Sequence, residues 1–225
     1  VAPATEAAPS AAPPPAAPEG NTIAEGGSGS VDCDPHFGVV VGNYWFAMDD
    51  QTCRGASKSR LERLHSGADG LGCTIRWTGS VSTAPYPWGF AAAGVQLREG
   101  LDLAEYSTLV VAVRGDGRKY RLGMPMREQL NAQSDPGDRP EGDDDRRPED
   151  GCDNRNLDFY GAPFTCGDGS DKWTELTFRI PEFAQEGWGN KWRFNASDVS
   201  RVQVQTAERP LEQFQCDFRV VSITR

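Results

Sequence analysis

Histidine is nearly missing from this chain: His36 and His65 are the only two in 225 residues. So little imidazole leaves scant material for a Ser-His-Asp or Cys-His system, and no Gly-x-Ser-x-Gly elbow is present. The six cysteines include no Cys-x-x-Cys pair, so zinc and iron–sulfur centres are poor readings. The many glycines lack the strand–loop–helix context of a phosphate-cradling loop or dinucleotide fingerprint. Positive charge is also in deficit, with 23 Lys and Arg against 33 Asp and Glu, a formal net charge of −10 and a pI near 4.7. Binding phosphates requires a basic footprint, which argues against nucleic acid and anionic lipid as partners. No apolar run approaches the about 20 residues that a membrane-spanning helix needs.

What is present divides the chain in two. Residues 1–20 hold eight Ala and six Pro, and 21–30 are rich in Gly and Ser, so residues 1–30 read as an extended tether or as an arm that orders on a partner. The chain opens at Val1 with no basic-then-apolar leader, which gives the expectation that a targeting segment has been removed. An even cysteine set (Cys33, Cys53, Cys73, Cys152, Cys166 and Cys216) points to disulfides in an oxidising compartment. Connectivity is open, and the shortest loop makes Cys152 with Cys166 the first guess. The Ala/Pro style suggests a bacterial protein that is secreted, periplasmic or on the cell surface.

Residues 31–225 read as one all-β domain. Short apolar or alternating runs separated by Gly, Pro, Asp and Asn give candidate strands at 39–48, 72–78, 88–97, 107–114, 120–126, 157–164, 173–179, 199–206 and 214–224. Their spacing fits two antiparallel sheets packed face to face. Residues 127–156 break the rhythm with ten acidic residues, five arginines and Leu130 as the single large apolar group, so they are expected to form a surface loop. Carboxylates such as Asp143, Asp144 and Asp145 could hold a structural calcium ion there, although the spacing is not that of an EF-hand.

Several motifs occur in a telling order: Asn43-Tyr44-Trp45-Phe46, Tyr86-Pro87-Trp88-Gly89-Phe90, Leu101-Asp102-Leu103-Ala104-Glu105-Tyr106-Ser107 and Val113-Arg114-Gly115-Asp116-Gly117. Further on come Trp173-Thr174-Glu175-Leu176-Thr177-Phe178-Arg179-Ile180-Pro181 and Phe194-Asn195-Ala196-Ser197-Asp198-Val199. Together they resemble the galactose-binding-like jelly-roll domains related to family 11 carbohydrate-binding modules and to the complex I intermediate-associated protein 30 family. The resemblance implies a β-sandwich (jelly roll) with a sugar-binding cleft and no catalytic role. Many relatives carry an Asp-Asp pair in the last strand where this chain reads Phe218-Arg219-Val220-Val221-Ser222-Ile223, which puts a calcium site in doubt. Cys216 is then free to tie the final strand to an early one.

Sugar recognition combines aromatic faces against pyranose C–H groups with polar side chains around the hydroxyls. The aromatic candidates are Tyr44, Trp45, Tyr86, Trp88, Tyr160, Trp173, Trp188 and Trp192; of these Tyr86, Trp88, Trp188 and Tyr160 sit beside Pro or Gly in turn-like contexts, and Tyr86 and Trp88, flanked by Asp158 and Tyr160, are the expected site. Trp45 and Trp173 are expected in the core, because aromatics dominate sandwich packing. Alternation places Tyr44 and Phe46 on one face and Trp45 on the other without saying which is buried. Arg114-Gly115-Asp116-Gly117 reads as a hairpin turn, not an adhesion signal. Two functions of different class follow: a carbohydrate-binding module for a polysaccharide, or an assembly subunit whose residues 1–30 pack on a neighbouring subunit. A glycan-active enzyme, a third reading, needs two carboxylates about 5–10 Å apart across a cleft.

Overall fold

A computed structural model describes residues 30–32, 41–42, 44–64, 74–134 and 155–225. Two antiparallel sheets form the sandwich. One runs in the order β1 (Ser30–Asp32), β2 (Tyr44–Asp49), β5 (Ala91–Gln96), β10 (Arg201–Thr206), β7 (Lys119–Met124), β8 (Tyr160–Thr165). The other runs β3 (Lys58–Leu64), β4 (Thr74–Val81), β11 (Leu211–Thr224), β6 (Thr108–Gly115), β9 (Thr174–Arg179). All nine expected strands overlap an observed one. The last two strands lie inside the sheets, β10 between β5 and β7 and β11 between β4 and β6, which is the long-range pairing of a jelly roll.

Alternation along each strand builds the core. Trp45 and Ala47, Ala91, Ala93 and Val95, Val202 and Val204, and Tyr120, Leu122 and Met124 point inward from the six-stranded sheet. They meet Ile75, Trp77, Leu109, Val111, Val113, Phe214 and Phe218 of the other. Trp77 packs its ring 4.6 Å from Phe214 and 5.7 Å from Tyr120, and Trp45 sits edge-on 4.9 Å from Phe218. Ser59 faces inward as well, where its hydroxyl accepts the Trp77 indole N–H at 2.8 Å and donates to Ala92 O at 3.1 Å. At one end Leu103 is buried and Asp102 accepts the N–H of Ala104 at 2.8 Å, so the Leu-Asp-Leu segment plugs the sandwich as its sequence suggests.

Several expectations need correction. Arg114-Gly115-Asp116-Gly117 does not close a hairpin: β6 and β7 belong to different sheets, and the turn carries the chain between them. Gly117 has φ +74° there, and Asp116 accepts the N–H groups of Arg118 and Gln215. Residues 127–134 are not loop but the α-helix α1 (Arg127–Ser134). Its amino end is held by Asp198, which accepts Glu128 N–H at 2.9 Å, and by the buried Gln129, whose Oε1 accepts Met126 N–H. Cys166 pairs with Cys216, not with Cys152, and the bond ties the end of β8 in one sheet to β11 in the other. Cys216 is therefore joined to a late strand and not to an early one. Gly115 is what lets it pass, since a Cβ at that position would meet the Cys166 sulfur at 2.8 Å. Cys53 is also disulfide-bonded. Trp173 lies outside the core, on the outer face of the five-stranded sheet, with the Arg114 and Arg219 guanidinium carbons each 4.8 Å from its ring. The expectations for residues 1–29, for Cys33, Cys73 and Cys152, and for calcium at Asp143, Asp144 and Asp145 fall outside the described residues.

Candidate functional site

The core-facing set fixes what the six-stranded sheet turns outward. Tyr44, Phe46 and Met48 come from β2, Ala92, Gly94 and Gln96 from β5, Arg201, Gln203 and Gln205 from β10, Arg121 and Gly123 from β7, and Gly161 and Pro163 from β8. Register aligns them in rows across the sheet. The central row is Phe46, Gly94, Gln203, Gly123, Gly161, and the next is Met48, Ala92, Gln205, Arg121, Pro163. Four inter-strand steps separate β2 from β8, a platform about 19 Å wide at the usual spacing.

The glycines in the central row leave room for side chains laid flat over neighbouring strands. A Cβ at Gly94 would meet the Phe46 ring at 3.1 Å, and one at Gly161 would meet Arg121 Nε at 3.0 Å. Phe46 thus lies across β5, with the Tyr44 ring 5.9 Å away and stacked, and Tyr44 is 44% exposed. Across the middle runs a chain of polar groups: Arg201 Nε donates to Gln203 Oε1 at 3.0 Å, and Gln203 Nε2 donates to Gln205 Oε1 at 3.1 Å. The Arg201 guanidinium stands 5.5 Å from the Phe46 ring and 6.0 Å from that of the buried Phe159. Desolvation pushes its pKa down to about 10, so it still carries its charge at neutral pH.

Beyond β8 the sheet is continued by a bridge between Gly161 and Ala184. Arg121, on β7, reaches over to this margin, donating to the carbonyls of Ala184 and Phe159 and pairing with Glu186 at 3.8 Å. The turn that follows exposes Trp188, 51% open to solvent, with its indole N–H on Glu186 Oε2 at 3.0 Å. What holds that turn is Asp158. Its carboxylate, 1% exposed, accepts the N–H groups of Glu186 at 2.9 Å, Gly187 at 2.7 Å and Gly189 at 3.3 Å. Gly187 has φ +90°, and a Cβ on Gly189 would collide with Arg155 O at 2.4 Å, so the Gly-Trp-Gly sequence is required to bring the indole out.

The four residues expected to bind sugar are not brought together. Tyr86 is 2% exposed, so its ring faces are covered, and Asp158 spends its oxygens on backbone. Tyr160 is half-buried, its ring 4.9 Å from Phe194 and its hydroxyl donating to Trp192 O at 2.7 Å. Trp88 alone is open, at 61%, but it lies in the loop between β4 and β5 at the end of the sandwich. That loop is tied down by the buried Asp50, which accepts N–H from Ser57 and Phe90. Tyr44 and Trp188, both among the aromatic candidates, are the open rings of this face, whereas sequence reasoning missed Phe46 and Arg201 as surface groups; the alternation around Trp45 pointed to Phe46. Among the described residues no three His, Cys, Asp or Glu side chains converge as a metal site would require. An open depression of about 950 Å³ lies on the five-stranded sheet, lined by Lys58, Thr78, Asp116, Arg118, Glu212 and Gln215 among others, and its one ring, Phe214, is buried. It offers no stacking surface.

A family model described as Complex I intermediate-associated protein 30 (CIA30) matches residues 40–218. No curated protein matches the chain. Among solved structures, the chain is similar to a family 11 carbohydrate-binding module from Clostridium thermocellum in complex with a beta-1,3-1,4-mixed-linked tetrasaccharide. That match has a TM-score of 0.50 and 12% identity, and covers 87% of this chain and 98% of that one. The family 11 module of the cellulosomal cellulase Lic26A-Cel5E of the same organism matches with a TM-score of 0.50 and 12% identity, over 88% of this chain and 96% of that one.

Proposed function

The chain belongs to the Complex I intermediate-associated protein 30 family, and from that premise we propose that it is a non-catalytic, carbohydrate-binding-module-like protein of the cell surface or exterior that holds a polysaccharide on the outer face of its six-stranded sheet. The observation that carries this reading is the pairing of open rings at the two margins, Tyr44 and Trp188, with the half-buried Arg201 and Gln205 between them, both braced by the buried Gln203. Aromatic faces take the apolar side of a pyranose while these polar groups take its hydroxyls. One of the two family 11 modules supplies the precedent of a tetrasaccharide ligand on a related fold. None of the outward residues of β2, β5, β7, β8 or β10 named above is acidic, and Glu186 at the margin is paired with Arg121, which favours binding over glycoside hydrolysis.

The test is affinity electrophoresis of the full chain through gels containing a panel of soluble polysaccharides. Retardation by at least one of them is expected, lost or much reduced in Tyr44→Ala and Trp188→Ala and retained in Trp88→Ala. Retardation that depends on Trp88 and is indifferent to Tyr44 and Trp188 would move the site to the end loop and refute the platform.

A further inference from the structure

Arg201 places a full positive charge on the platform. Its guanidinium is partly buried between the rings of Phe46 and Phe159, at 5.5 and 6.0 Å. Other arginines of the two outer faces are met by carboxylates: Arg76 and Arg114 share Asp217, and Arg121 has Glu186. Arg201 has none among the described residues. Nε is held by Gln203 Oε1 at 3.0 Å, and the outer nitrogens Nη1 and Nη2 meet no acceptor among the described residues. Burial is the one cause acting on its pKa, with no facing acid to offset it. A half-buried guanidinium with no facing acid gives up hydration without a charged partner, and an anionic group would answer its charge where a neutral hydroxyl supplies a hydrogen bond alone.

We infer that the platform takes an acidic sugar, whose carboxylate or sulfate group is received by Nη1 and Nη2 of Arg201. The inference rests on the reading of this face as a glycan platform and names the class of glycan. The fork is restrained before any ligand arrives: the Phe46 and Phe159 rings stand 5.5 and 6.0 Å from it, and the Gln205–Gln203–Arg201 chain anchors Nε, which lessens the freedom lost on pairing. A planar fork matches two oxygens of one anionic group at once. The net charge of −10 opposes the approach of any polyanion, so binding that survives it depends on this local contact and not on general attraction.

The experiment uses the full chain in affinity gels and in titration calorimetry against polygalacturonate and alginate as carboxylate probes, chondroitin sulfate and carrageenan as sulfate probes, and mixed-linkage β-glucan and galactan as neutral ones. Arg201→Met keeps the length that packs between the two rings and removes the charge. It is expected to weaken binding of the acidic probe at least about tenfold, that is by about 1.4 kcal/mol, with an unchanged or higher melting temperature. Arg201→Lys keeps a charge without the fork and is expected to fall between, which leaves the test decisive should the Met variant misfold. Whether the polyuronates or the sulfated chains bind assigns the source of the anion. Binding of neutral probes alone, or acidic binding indifferent to both variants, overturns the inference and leaves the platform standing. Binding of no probe of either class overturns both.

Discussion

Asp158→Asn separates the platform from the scaffold that presents it. In the native turn one carboxylate oxygen accepts Glu186 N–H and the other accepts Gly187 and Gly189 N–H. An asparagine has a single acceptor oxygen. Placed toward the two glycines, its amide group then faces Glu186 N–H donor to donor, so one bond is lost and a buried donor is left unpaired. Hydrogen bonds to charged groups contribute about 1.5–3 kcal/mol, and an unsatisfied buried donor costs about 1–3 kcal/mol. We take about 3 kcal/mol for the change, discounting for relaxation of the turn. Because the turn lies at the margin beyond β8, it can open without unfolding the sandwich, so the cost should appear locally. Hydrogen exchange read by NMR is the assay. The amides of Glu186, Gly187 and Gly189 should exchange about a hundredfold faster than in the parent protein, 1.4 kcal/mol being tenfold, while those of Leu122 and Val204 in the sheet stay unchanged. Glycan affinity should fall with them, since Trp188 loses its fixed position. Exchange at the three amides within a few-fold of the parent, or equal acceleration throughout both sheets, would refute the assignment of Asp158 as the local clamp.

Two further perturbations address the scaffold. Replacing Cys166 and Cys216 together by alanine releases a 50-residue separation from the unfolded chain and should lower stability by about 4 kcal/mol on the chain-entropy account; urea unfolding followed by tryptophan fluorescence measures it, and a loss below about 1 kcal/mol would show that the inter-sheet bond is thermodynamically idle. Asp217→Ala leaves Arg76 and Arg114 facing one another across β11 where a fully buried carboxylate now accepts from both at 2.7–3.1 Å, and should destabilise by about 3–5 kcal/mol in the same assay.

The strands were readable because their signals are local. Val110, Val111 and Val113 in β6, or Val202 and Val204 in β10, are β-branched residues on a pleated surface, and neighbouring sequence suffices to recognise them. β3 escaped because Lys58-Ser59-Arg60-Leu61-Glu62-Arg63-Leu64 is a charged edge strand whose inward set includes Ser59, a residue that becomes a core residue only through the Trp77 indole from β4. The same limit explains the site. Alternation grouped Tyr44 with Phe46 against Trp45, yet three aromatic neighbours give no hydrophobicity contrast, and it is the pairing of Trp45 with Val95 and its contact with Phe218 that turn it inward. Asp158 resembles a sugar-binding acid until the Gly187-Trp188-Gly189 turn, some thirty residues on, folds its amides around it.

Charge shows the limit most plainly. A net −10 bears on long-range encounter, since the field of the whole chain is felt at distances where no contact has formed. It says little about a guanidinium set between two rings, because exposed charges more than about 8–10 Å away are largely screened at physiological salt. The Asp and Glu side chains that make the total negative do not approach Arg201 among the described residues, and those on the platform's own margin are already committed, Glu186 to Arg121 and Trp188. Exclusion of polyanions by composition therefore holds for ligands that need a broad basic footprint, as a nucleic-acid backbone does, and fails for one that places a single anionic group on a prepared fork. The acid-rich composition and the unpaired arginine are compatible, and together they favour a ligand whose negative charge is met at one position.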